Sequence, residues 1–61
     1  MSFTAEQKAK AAEREVGHRL RVYSRLVDKG VMRKEKANYE IDIMREIARD
    51  YYAMEAEERL L

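Results

Sequence analysis

The chain contains no cysteine and no proline, two glycines and one histidine in 61 residues. Without cysteine no disulfide can staple the fold, and one histidine with no cysteine counts against a structural zinc site. No apolar run approaches the roughly 20 residues that would span a bilayer. The opening stretch MSFTAEQKAKAAERE has no hydrophobic signal-peptide core, so the expectation is a soluble, cytoplasmic protein with no membrane contact. There is no phosphate-binding glycine loop, no paired-histidine zinc helix, no nucleophile elbow and no cysteine nucleophile. The sequence therefore predicts a protein without enzymatic activity and without a cofactor.

What is present is charge and regular apolar spacing. Charged residues make up 41% of the chain and apolar residues 46%, the composition of long helices or coiled coils. Thr4-Ala5-Glu6-Gln7 fits a reciprocal capping box at a helix start. From there Ala5, Ala9, Ala12, Val16, Leu20, Tyr23 and Val27 recur at steps of four or three, one helical face. The segment Val27-Asp28-Lys29-Gly30-Val31-Met32 reads as a turn, with Gly30 in the left-handed conformation that ends a helix. A second stripe follows: Ala37, Ile41, Met44, Ala48 and Tyr51. The start of this second helix lacks a good cap, because no Ser, Thr, Asp or Asn lies between Val31 and Lys36.

These stripes predict one domain over residues 1–61: an all-α, antiparallel two-helix hairpin. Helix 1 is expected at about 4–29, the turn at 29–33 and helix 2 at 33–59. Folding back near Gly30 makes facing residue numbers add to about 60. Tyr23 then meets Ala37, Leu20 meets Ile41, Val16 meets Met44, Ala12 meets Ala48 and Ala9 meets Tyr51. Large side chains face small ones at both ends, Tyr23 on Ala37 and Tyr51 on Ala9, as an interdigitating seam requires. The same register sets Arg19 opposite Glu40, which predicts a partly buried ion pair beside the seam.

Apolar residues remain outside that seam. Ile43, Ile47 and Met54 form a second stripe on helix 2, Val22 and Leu26 do the same on helix 1, and Leu60 and Leu61 lie at the far end. A lone hairpin would expose them, whereas two hairpins packed as a four-helix bundle would bury them. The expected partner is thus a second copy, with Val22, Leu26, Ile43, Ile47 and Met54 as the interface. A foreign protein whose groove takes the ridge is the competing occupant.

Charge is distributed unevenly. Residues 13–36 hold eight Lys/Arg against four acids, and residues 37–61 three against seven. Arg21, Arg25, Lys29, Arg33, Lys34 and Lys36 make a basic hairpin tip that could contact phosphates in a salt-sensitive, sequence-indifferent way. A nucleic-acid-associated protein is the second functional reading. Asp28 and Glu35 in the same tip, and a net charge of only +1, count against it. His18 lies opposite the core stripe. Glu15-Val16-Gly17-His18 matches a di-iron Glu-x-x-His motif once, but its histidine points away from the seam.

Residues 21–51, RVYSRLVDKGVMRKEKANYEIDIMREIARDY, resemble small open reading frames of phage and prophage genomes. The likeness rests on Val22, Tyr23, Gly30, Met32, Ala37, Glu40, Ile41, Ile43, Met44, Ile47, Asp50 and Tyr51. It departs at Arg33, where that pattern has a serine cap. The resemblance implies an accessory phage protein that binds a host or phage protein.

Overall fold

The computed structural model describes residues 2–60, which form two α-helices joined by a short turn. Helix α1 spans Ala5–Asp28 and helix α2 spans Lys34–Leu60. They pack antiparallel along their length as a hairpin of 48 × 20 × 15 Å. Leu61, expected at the far end of the apolar surface, lies outside the described residues.

Both ends of α1 are built as its sequence dictates. The Gln7 N–H donates to the Thr4 hydroxyl at 3.1 Å, and the Thr4 N–H donates to Gln7 Oε1 at 2.9 Å. At the other end the Gly30 N–H donates to the Val27 carbonyl and the Val31 N–H to the Leu26 carbonyl. That pair of bonds is the Schellman arrangement, and it places Gly30 at φ +73°, a region costly for any side chain. Helix α2 starts on Arg33, whose carbonyl accepts the Ala37 N–H, with no side-chain cap among the described residues.

Two glycines in one small fold give opposite predictions. Gly30→Ala should destabilise the hairpin by about 1–2 kcal/mol from backbone strain alone, because no heavy atom lies within 4 Å of the added Cβ. Gly17→Ala should stabilise it by about 0.8–1 kcal/mol through helix propensity. The new Cβ there meets only Arg21 Nη1, at an ordinary 3.7 Å. Urea unfolding of the two variants, followed by far-ultraviolet circular dichroism, measures both.

The core is built mainly from alanine. Its buried residues are Ala5, Ala9 and Ala12 on α1 and Ala37, Ile41 and Ala48 on α2. Small side chains let two backbones approach closely, with Val16, Tyr23, Met44 and Tyr51 half-buried along the same line. One residue expected in this seam is not there: Leu20 is 43% exposed. Along α1 the buried or half-buried positions Ala5, Ala9, Ala12, Val16, Arg19, Tyr23 and Leu26 alternate strictly in steps of four and three, with Glu15, Gly17, Val22 and Val27 half-buried beside them. That is a 3.5-residue repeat, in which the contact stripe drifts about 20° per heptad against a straight 3.6-residue helix. Two heptads from Ala5 the drift has carried the seam off Leu20 and onto Arg19. On α2 the same repeat continues past Tyr51 to Glu55, whose side chain is largely enclosed.

Candidate interaction surface

Arg19 occupies a seam position and is the polar centre of the molecule. Its Nε donates to Glu15 Oε1 at 3.0 Å within α1. Its Nη1 crosses to α2 and donates to the Glu40 main-chain carbonyl at 2.7 Å, with Glu40 Oε2 further off at 3.5 Å. Lys36 Nζ approaches the other Glu40 oxygen at 3.3 Å. The Arg19 and Glu40 side chains are 18% and 27% exposed, so the pair is half-enclosed rather than buried. The sequence pairing rule places these residues together but misses the carbonyl, the shortest contact of the set. A helical carbonyl keeps a second lone pair after accepting its own helix bond, and a guanidinium has five donors with which to reach it.

This geometry separates two substitutions. Arg19→Met removes the cross-helix bond from a charged donor and should cost about 1.5–3 kcal/mol. Glu40→Gln keeps the carbonyl acceptor and should cost no more than about 1 kcal/mol, the scale of a partly exposed ion pair. Chemical denaturation of both variants tests the difference, and equal losses would show that the carboxylate carries the contact.

The open end of the hairpin is tied by further polar contacts. The Tyr52 hydroxyl donates to Glu13 Oε2 at 3.0 Å, and this bond holds the Tyr52 proton above the ordinary phenol range. The contribution of that bond is complete below the unfolded phenol's pKa near 10 and is lost as pH rises through the higher folded value. Lys8 Nζ lies 5.4 Å from the centre of the Tyr51 ring, within cation–π range. The Lys10 ammonium, hydrogen-bonded to Glu6 at 2.9 Å, lowers the Glu6 carboxyl pKa.

The apolar residues left outside the seam divide into two groups. Ile43, Ile47 and Met54 are 39%, 36% and 47% exposed and lie on one flank of α2, the last two together with Tyr51 and Asp50 along a shallow depression. Val22 and Leu26 are half-buried against the hairpin instead of standing free. The ridge open to a partner is therefore Ile43, Ile47 and Met54, while Val22 and Leu26 adjoin the seam near the turn. On the opposite flank a groove of about 410 Å³ opens between Leu20, Tyr23, Val27, Ala37 and Ile41. Its rim includes Leu20, the side chain that the heptad drift leaves outside.

The basic tip is looser than its sequence suggests. Arg21 lies back along α1 over Gly17, away from the turn. Lys36 is engaged with Glu40, and Lys34 lines the groove. Arg25, Lys29 and Arg33 are exposed and make no ion pair among the described residues. His18 is exposed, and no group of three or more His, Asp or Glu among the described residues is placed to hold a metal ion. No helix among them is long and apolar enough to cross a membrane.

In comparisons with known proteins, no family model, no curated protein and no solved structure matches the chain.

Proposed function

We propose that this hairpin is a non-enzymatic protein-interaction module whose partner is a second copy of the chain, docked on the Ile43, Ile47 and Met54 ridge to make a four-helix bundle. The observation that carries the reading is the area left open. A folded monomer of 7.3 kDa is expected to expose about 4,200 Å², whereas this one exposes 5119 Å². The surplus is close to the roughly 800 Å² that each member of a standard interface buries. The radius of gyration points the same way: 14.2 Å, against about 10.5 Å for a compact domain of this length. The seam supports the reading too, because a core of five alanines and one isoleucine supplies little of the apolar burial a small fold needs.

Light scattering coupled to gel filtration is the test. A dimeric mass at micromolar concentration supports the reading, and a monodisperse, stably helical monomer overturns it. The resemblance of residues 21–51 to phage open reading frames makes a host or phage protein the second occupant to test. Affinity capture with the native chain, compared with an Ile43→Asp/Ile47→Asp variant, separates that occupant from self-association.

A further inference from the structure

We infer that the self-associated form is antiparallel, with the basic turn of each hairpin beside the acidic open end of the other. The inference rests on the self-association reading and adds an orientation to it. Fold the chain at Gly30 and divide the rod across its middle. The turn half, residues 18–43, holds seven Lys/Arg against four Asp/Glu. The open half, made of residues 1–17 and 44–61, holds six against eight. The hairpin is therefore positive at the turn and negative at the open end, along a body 48 Å long.

Two such rods stacked face to face have two symmetric choices. With turns together, Arg25, Lys29 and Arg33 of both copies crowd one end, and Glu57 and Glu58 of both crowd the other. Like charges set side by side across an interface are costly. With turns opposed, each positive end meets a negative one. The apolar ridge accommodates the second choice. Ile43 and Met54 lie on either side of Ile47, so a two-fold axis near Ile47 lays one α2 antiparallel on the other, with Ile47 beside its own mate and Ile43 within one helical turn of the other copy's Met54. The same axis sets the Lys34–Lys36 end of one α2 level with the Glu57–Glu58 end of the other. The Arg19, Glu40 and Lys36 contacts then lie between the two seams and become more enclosed.

The absence of native cysteine gives a clean test. Ile47→Cys should form a disulfide-linked dimer on mild oxidation, since the residue sits beside its own symmetry mate. Spin labels on Val31→Cys, at the exposed turn, should lie apart by a distance approaching the 48 Å length of the rod. Added salt should weaken association several-fold by screening the opposed ends. A labelled dimer whose turn-to-turn distance matches the 20 Å cross-section overturns the orientation and leaves self-association standing. Association that tightens with salt overturns the orientation equally. A monomeric mass for the unmodified chain overturns both, and light scattering on that chain distinguishes this failure from the others.

Discussion

The Ile43→Asp/Ile47→Asp variant should sediment as a monomer at concentrations where the proposed dimer of the native chain forms, with its dissociation constant raised at least about 100-fold. Each isoleucine buried in the bundle contributes about 1.5 kcal/mol or more, and a factor of 100 corresponds to about 2.7 kcal/mol. The aspartates add to the loss, because a carboxylate in an apolar contact has no compensating partner. Neither isoleucine belongs to the intramolecular seam, so the hairpin register is not altered directly. Tyr39→Asp is the matching control: Tyr39 is on the outer side of α2 and well exposed, and this variant should keep the dimeric mass. A double variant that sediments like the native chain would place the interface elsewhere, with the Leu20 groove as the next surface to probe.

Ala9→Leu should be among the most damaging single changes to the hairpin itself. Ala9 is completely enclosed, and the register sets it opposite Tyr51. Three added carbons have no cavity to enter, so the helices must separate along the whole alanine segment from Ala5 to Ala12. Overpacking of this kind costs about 1–3 kcal/mol, a large share of what a small single-seam fold has in reserve. The expected result is a urea midpoint shifted strongly downward, or loss of the cooperative transition. Ala11→Leu, two positions along on the exposed side, makes the same chemical change and should move stability by no more than about 0.5 kcal/mol. Equal effects from the two substitutions would mean that the alanine face is not the seam.

Much of this architecture was legible in residue order, because two local signals agree with one global register. Thr4 and Gln7 announced the start of α1, Gly30 its end, and the α2 stripe from Ala37 to Tyr51 matched the enclosed positions. The error on α1 was one of period. Counting apolar residues on a straight 3.6-residue helix selects Leu20, which the structure leaves 43% exposed, along with Val27, which is half-buried. The packed helices keep a 3.5-residue repeat instead, and that repeat selects Arg19 and Leu26. A charged side chain at a seam position is invisible to any count of apolar residues. Only its opposite number, Glu40, betrayed it. Glu55 escapes such a count for the same reason, and the repeat brings Leu26 to a seam position with Val22 half-buried beside it.

An alanine seam also sets how the molecule responds to heat. Unfolding exposes hydration-sensitive apolar area in proportion to what was hidden, and here the hidden side chains are mostly single methyl groups. The heat-capacity increment should fall below the usual 12–15 cal/mol/K per residue, and the enthalpy at the midpoint should be small. Melting would then spread over a wide temperature interval. If two copies pair as proposed, part of the apolar burial belongs to the contact between them, and the midpoint would climb as the solution is made more concentrated.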